Sequence, residues 1–234
     1  MGGGAGTPDF FYREAQRLGY VARSAFKLLQ MQKQYKLITP GSSVLDLGCA
    51  PGAWLQVACQ SLGPLKCSGA IVGIDTKKVK VPATHCDSRV QTVCGNVMEL
   101  PKEKIKDLSP QKKGFSVILS DMCPLVSGIT TRDSVLSAEL GHRALDLAVG
   151  GGAFSPQCTN PQVDGELNDI GDNGILQLGG HLVIKLLESE DTKEICEICK
   201  PLFRKTSWLR PKATRSSSRE IYLICQGLRS RRAS

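Results

Sequence analysis

The sequence predicts an α/β fold: a mostly parallel sheet with helices on both faces. Three observations carry this reading. Strand-like apolar runs alternate with helical segments along most of the chain. One such run, Val44-Leu45-Asp46-Leu47-Gly48, breaks into a small-residue turn, Cys49-Ala50-Pro51-Gly52-Ala53, before helical spacing resumes at Trp54-Leu55-Gln56-Val57-Ala58. That order of buried strand, tight loop and helix start belongs to open α/β sheets, whose ligands sit at the carboxyl edge. Finally, 234 residues suit one domain with a sizeable core.

The elements follow in order. Residues 1–8 are Gly-rich and read as a flexible N-terminus. Residues 9–36 carry Arg13, Arg17, Arg23, Lys27, Lys33 and Lys36 on a helical background, with Phe26 and Leu29 three apart as an amphipathic helix requires. Pro40-Gly41 is a turn. Strands are expected near 43–48, 70–75, 90–94, 115–121, 181–186 and 219–226, and helices near 53–62, 134–149 and 190–202. The stretch 150–177, opening on Gly150-Gly151-Gly152, lacks apolar periodicity and reads as a surface insertion with a disordered centre. The rest, 9–228, is one domain, and 229–234 form a basic tail.

Composition narrows the classes. No apolar run is long enough to span a bilayer, and the N-terminus lacks a signal-peptide layout. Ten scattered cysteines fit a reducing compartment better than a disulfide framework. Cys196 and Cys199 lie in a helical segment with no second pair to complete a metal site, so no metal is expected. The net charge of +8 favours a polyanionic partner. Arg204, Lys205, Arg210, Lys212, Arg215 and Arg219 cluster without an acid, and Trp208 among them could stack on a base. A solvated loop with a core Trp is the equal alternative. The turn after Gly48 is neither Gly-x-Gly-x-x-Gly nor a P-loop, which argues against a nicotinamide dehydrogenase and a phosphate cradle.

Strand ends supply the chemistry. Ile71-Val72-Gly73-Ile74-Asp75 ends in an acid that can accept both hydroxyls of a ribose. Val93-Cys94-Gly95-Asn96-Val97 offers Asn96 to the edge of an adenine. Two further strands end at Ser120-Asp121 and at Val183-Ile184-Lys185. Each residue alone could be a capping or solvated group; together they outline a nucleoside-shaped site. Lys185 ends a strand that should be buried, where an unpaired Lys is rare. Burial and neighbouring cations would lower its pKa toward a general base, whereas an adjacent carboxylate such as Asp121 would act the other way. Lys27 and Glu220 look ordinary taken singly.

Read together, these motifs resemble the FtsJ-type ribose 2′-O-methyltransferases, most closely the short single-domain ones acting on large-subunit ribosomal RNA. The resemblance runs from about Asp9 to Gly227. It rests on Ala22-Arg23-Ser24-Ala25-Phe26-Lys27-Leu28, the segment Asp46 to Trp54, Ser120-Asp121-Met122-Cys123-Pro124, Val183-Ile184-Lys185, and Ser216-Ser217-Ser218-Arg219-Glu220-Ile221-Tyr222. It implies a seven-stranded Rossmann-like sheet with an antiparallel last strand and S-adenosylmethionine as cofactor. It also implies a catalytic set of Lys27, Asp121, Lys185 and Glu220. Cofactor contacts are implied at Pro51, Gly52, Ala53, Trp54, Asp75, Asn96, Val97 and Asp121. Lys185, as the neutral amine, is expected to take the ribose proton, with Asp121 orienting it. Arg13, Arg17 and Arg23 on one side, and Arg210, Lys212, Arg215 and Arg219 on the other, are expected to hold RNA phosphates. The chain departs from the family pattern at Asn96, where many members have Asp, and at Cys123-Pro124-Leu125-Val126, which replaces Ala-Pro-Asn.

The expected activity is methylation of a ribose 2′-hydroxyl, on a uridine of large-subunit ribosomal RNA first, with transfer RNA as the alternative substrate. A non-catalytic RNA-binding assembly factor is the alternative class. The expected partner is RNA, without a membrane, and the expected state is a monomer. An intracellular site is expected, the mitochondrion or another organelle ahead of cytoplasm or nucleus, with any cleaved presequence ending before Lys27.

Overall fold

The computed structural model describes residues 9–125, 127–151 and 174–230. The N-terminal segment 1–8, most of the expected insertion and the tail from 231 lie outside the described residues. Two helices, α1 (Phe10–Leu18) and α2 (Ala25–Tyr35), precede the sheet. Then follow β1 (Ser43–Leu47), α3 (Ala53–Ser61), β2 (Ala70–Asp75), β3 (Val90–Cys94), α4 (Lys102–Asp107), β4 (Phe115–Ser120) and α5 (Thr130–Val149). The chain closes with β5 (Leu176–Leu187), α6 (Asp191–Leu202), β6 (Phe203–Leu209) and β7 (Glu220–Leu228). The seven strands lie in the order β3-β2-β1-β4-β5-β7-β6. The first five pair in parallel, and β7 runs antiparallel between β5 and β6.

Both faces of the sheet are covered, so β1 is buried throughout and reads as an unbroken apolar run around Asp46. Period-two alternation divides the strand side chains between two cores. Leu45, Ile118, Leu182, Ile184, Leu223 and Cys225 pack against α5 and α6. Val44, Val117, Leu119, Val183, Tyr222 and Ile224 pack against α2 and α3.

Three boundaries differ from expectation. The strand β5 starts at Leu176, so residues 176 and 177 belong to the sheet and not to an insertion. Leu176 pairs with Phe115, but His181 pairs with Val117, so extra residues bulge between them. Gly179 and Gly180 sit in that bulge and hide the strand in the sequence. The helix α5 starts at Thr130, four residues before the apolar periodicity begins. The strand β6 fell within a segment read as basic; it is an edge strand, where charges such as Arg204 and Lys205 are tolerated. Trp208 stands on it, 37% exposed.

Candidate active site

Alternation decides which strand-end side chains meet. Lys185 shares a face with Val183, and Glu220 and Tyr222 share a face with Ile224. Asp121 continues the parity of Val117 and Leu119. All four therefore point to the α2 side of the sheet. Lys185 is paired directly with Tyr222 in the ladder, and Ser120 with Ile184, which sets Asp121 beside Lys185. From above, α2 turns Lys27, Leu28 and Met31 into the same core. A helix lysine that looks solvated in sequence is thus 9% exposed.

The contacts form one chain. Lys27 Nζ donates to Glu220 Oε2 at 2.6 Å. Lys185 Nζ lies 3.9 Å from Glu220 Oε1 and 3.0 Å from Asp121 Oδ1, and also donates to the Asp121 carbonyl. The Tyr222 hydroxyl donates to Asp121 Oδ1 at 2.8 Å. The Tyr222 ring lies 5.7 Å from Lys27 Nζ and 5.9 Å from the Trp54 ring. Two cations and two anions thus share a nearly dry site, the arrangement under which buried charges are tolerated.

The electrostatics settle the competition left open by the sequence. Burial works to lower the Lys185 pKa, but Asp121 and Glu220 outweigh it and hold it above the ordinary Lys value. A raised pKa favours the ammonium at rest, so the neutral amine expected to take the ribose proton forms only when the ammonium has lost its own. Burial works to raise the Glu220 pKa, but Lys27 and then Lys185 pull it below the ordinary carboxylate value. Tyr222 is held neutral, its pKa pushed far up by burial first and by Asp121 next.

Lys185 and Asp121 stand in the wall of a cavity of about 580 Å³ that runs along the carboxyl ends of β1 to β5. The volume is in the range of small-molecule sites. Gly48, Ala50, Asp75, Asn96 and Val97 line it, together with Met98, Met122, Leu125 and Leu140, which sequence reasoning missed. Met98 and Met122 could have been found as the residues just past two strand-end polar positions. Leu140, on α5, carried no such signal. Asp75 Oδ2 accepts the Ala50 N–H at 2.9 Å, and Oδ1 accepts the Lys77 N–H at 2.8 Å. Each oxygen keeps further acceptor capacity for a ligand.

Pro51, Gly52, Ala53 and Trp54 do not line this cavity. Trp54 is buried behind it, and its Nε1–H donates to the Ser24 carbonyl, tying α3 to the start of α2. Gly52 has φ 109°, and a Cβ there would come within 2.8 Å of Pro82. Its conformation and its neighbour both require glycine. Gly48 answers similarly: φ is 78°, and a Cβ would stand 3.0 Å from the Met122 backbone.

Comparison with known proteins now bears on this geometry. The family model of the FtsJ-like methyltransferases matches residues 20–228. The chain belongs to the FtsJ-like methyltransferase family. It is 35% identical over 216 residues to ribosomal RNA large subunit methyltransferase E of Desulfatibacillum aliphaticivorans, covering 92% of this chain and 88% of that protein. To the protein of the same name from Methanocaldococcus jannaschii it is 32% identical, over 93% of this chain and 78% of that one. The fold matches the crystal structure of a Plasmodium falciparum protein described as a ribosomal RNA methyltransferase, with a TM-score of 0.68 at 23% identity, covering 91% and 100% of the two chains.

An FtsJ-like methyltransferase uses S-adenosylmethionine, and the residues present fit that molecule. Asp75, Asn96 and Val97 offer acceptors and an apolar contact at one end of the cavity, and Asp121 stands at the other. Asp46, two residues before Gly48, is fully buried and neither carboxylate oxygen has a hydrogen-bond partner. Burial first, and then Asp121 and Asp75, hold its pKa well above the ordinary value. Asp46 does not line the cavity, and the raised pKa favours its neutral form, so the fit to the cofactor rests on the lining residues.

The methyltransferase uses several of its expected RNA-binding residues internally. Arg17 pairs with Glu14 at 2.6 Å. Arg23 pairs with Asp9 and donates to the Ala213 carbonyl, tying α1 to the loop before β7. Arg210 donates to the Ser218 carbonyl, and Arg219 to Ser134 Oγ. Both therefore brace the segment that delivers Glu220. Arg13, Lys212 and Arg215 are exposed on the surface. Cys196 and Cys199 are buried on α6 and free. Among the described residues no cluster could hold a metal ion, and no helix is long and apolar enough to cross a membrane.

Proposed function

We propose that this chain methylates a ribose 2′-hydroxyl of large-subunit ribosomal RNA, at a uridine. The observation that carries the reading is the ion-paired chain Lys27–Glu220–Lys185–Asp121, its two lysines buried and its two acids partly buried, ending in the cavity wall. Four charged groups held this way are costly to a fold, and a hydrophobic substitute would often be as stable. Their retention points to chemistry. The names of the bacterial and archaeal relatives supply the substrate class.

When bound, S-adenosylmethionine supplies an electrophilic methyl on a positively charged sulfur, and that charge disfavours a second cation close by. The chain's own task is to position a ribose hydroxyl and remove its proton. Asp121 and Glu220 hold Lys185 at the cavity wall. Lys27 neutralises the outer oxygen of Glu220, leaving Oε1 toward Lys185. Lys185 accepts the ribose proton only after losing its own. At an ordinary Lys pKa near 10.4 the neutral fraction at pH 7 is already below about one in 10³. Proton loss from Lys185 therefore enters the barrier. Arg13, Lys212 and Arg215 flank the approach and hold RNA phosphates, with Arg17, Arg23, Arg210 and Arg219 behind them. The catalytic unit is one domain over 9–228, acting as a monomer in an intracellular compartment, an organelle first; the free cysteines support only the reducing character of that compartment.

The test is methyl transfer from labelled S-adenosylmethionine to ribosomal RNA from cells lacking the protein, followed by mapping of the modified nucleotide. Ribose methylation at one large-subunit uridine is expected. Transfer to transfer RNA alone would move the substrate, and RNA binding without any transfer would support a non-catalytic assembly factor.

A further inference from the structure

The helix α5 does more than cover the sheet. Its polar side chains reach several of the segments that shape the cavity edge. Asp133 accepts from the Ser127 N–H and hydroxyl, in the loop after β4. Ser134 accepts from Arg219, next to Glu220. Ser137 Oγ accepts the Leu187 N–H at the end of β5. The contact with the largest reach is Arg143. Its Nε–H donates to the Val97 carbonyl at 3.0 Å, and an Nη2–H donates to the Leu100 carbonyl at 2.7 Å. The third corner, Nη1, pairs with Asp146 one turn further along α5 at 2.8 Å.

These two carbonyls bracket the loop that carries the outer wall of the cavity. Asn96, Val97 and Met98 line it. Within the loop, Asn96 Oδ1 accepts the Met98 N–H, and Asn96 Nδ2 donates to Glu99. The Asn96 carbonyl accepts the N–H groups of Glu99 and Leu100. These bonds fix the loop's own shape. The Gly95 N–H donates to the Asp75 carbonyl and joins the start of the loop to β2. Val97 is buried and Leu100 packs against the core, while Met98 is 43% exposed, so packing anchors one side of the loop. Arg143 adds a polar tie from α5 to the far side of the loop, and its planar fork spans two carbonyls as a lysine could not.

We infer that Arg143 is a positioning residue for cofactor binding: from α5 it holds the Val97 and Leu100 carbonyls and so sets where Asn96, Val97 and Met98 stand. It touches no reacting atom. Its effect is on affinity for the cofactor and not on the chemical step. The inference rests on S-adenosylmethionine occupying the cavity of Asp75 and Asn96.

The experiment uses the full chain and S-adenosylhomocysteine, titrated calorimetrically into wild type, Arg143→Lys, Arg143→Ala and Asp75→Ala. Steady-state methyl transfer is measured in parallel. Arg143→Lys keeps the charge beside Asp146 and serves if the Ala variant does not fold. The expected result is a Kd, and a KM for the methyl donor, raised about tenfold in the Arg143 variants. At saturating donor, kcat stays within about twofold of wild type. Amide exchange at Glu99 and Leu100 speeds up in the same variants. Binding unchanged in folded Arg143→Lys but lost in Asp75→Ala overturns the role of Arg143 alone. A lower Tm with unchanged Kd does the same, since that is all a structural tie would give. Binding that survives Asp75→Ala would place the cofactor elsewhere and remove the premise as well.

Discussion

The sheet has a cavity at each end of its strands, and the two are nearly equal in size. One, of about 540 Å³, lies at the amino ends, lined by Thr39 to Ser43, Ser68, Gly69, Ser116 and Gln177 with residues 110, 111 and 113. The other, of about 580 Å³, lies at the carboxyl ends. Volume does not separate them; unspent polar capacity does. At the amino end three serine hydroxyls are engaged with nearby backbone groups. Ser42 Oγ accepts the Thr39 N–H, Ser43 Oγ donates to the Gly114 carbonyl, and Ser116 Oγ donates to the Ser43 carbonyl. Among the described residues of that wall, Lys113 is the one that carries a charge. At the carboxyl end, Asp75 keeps acceptor capacity, and the ion-paired Lys185 and Asp121 stand in the wall, Lys185 buried and Asp121 partly exposed. Turns entering strands need serines to satisfy their own backbone. Loops leaving strands can spare their side chains for a ligand.

The comparison breaks most severely at Lys185. Substitution by Ala is expected to lower kcat by roughly 10²–10⁴-fold, the contribution of a positioned acid–base group. It also leaves Asp121 without its cation, so circular dichroism must show that the fold survives. A rate within tenfold of wild type would deny the carboxyl-end cavity its chemistry.

The next effect is on pH. Lys185 must be neutral to accept a proton, and its pKa lies above the ordinary value. The rate at saturating substrates is therefore expected to rise about tenfold per pH unit across the neutral and mildly alkaline range. A plateau between pH 6 and 8 would transfer the base role from Lys185 to a carboxylate. The same pairing has a stability consequence of known sign. The Glu220 pKa is lowered, so its contribution is complete above its unfolded value of 4.5 and is lost as pH falls through the folded one. Lys27→Met is expected to shift acid unfolding to higher pH, read by fluorescence.

Tyr222→Phe is a smaller perturbation. It removes one donor from Asp121 Oδ1 and leaves the ring between Lys27 and Trp54. A hydrogen bond to a charged group is worth about 1.5–3 kcal/mol, so kcat should fall about ten- to hundredfold. An unchanged kcat would show that Lys185 alone orients Asp121.

Much of the carboxyl edge was legible because side chains at strand ends inherit the strand's parity. Asp75, Asn96, Asp121 and Lys185 could be placed on one edge before any coordinates. Lys27 could not, because a helix residue reaches the site through a tertiary crossing that no local pattern encodes; only the family motif marked it. Tyr222 lay inside a quoted motif, yet its role depends on facing Lys185 across β5 and β7. Arg143 was invisible, since its partners are backbone carbonyls and have no side-chain signature. The resting charge of Lys185 turned on a balance of burial against carboxylates, and sequence supplies both terms without their distances. The start of β5 was hidden by a Gly-Gly bulge, and β6 by edge-strand charges.

The smallest expected effect is the sharpest control on the comparison. Gln177 and Lys113 line the amino-end cavity, where Gln177 donates to the Gly114 carbonyl at 3.0 Å. Gln177→Ala and Lys113→Ala alter that wall without touching the carboxyl edge. If unspent polar capacity marks the site, both variants keep cofactor Kd and kcat within about twofold of wild type, the range of surface changes distant from special features. Asp75→Asn, a smaller steric change, should weaken cofactor binding by more than either, because a charged acceptor gives way to a neutral one where the ligand lies. A loss of affinity in the amino-end variants equal to that of Asp75→Asn would mean that the two ends are coupled through β1 and β4. The division of the sheet into a structural end and a chemical end would then have to be abandoned.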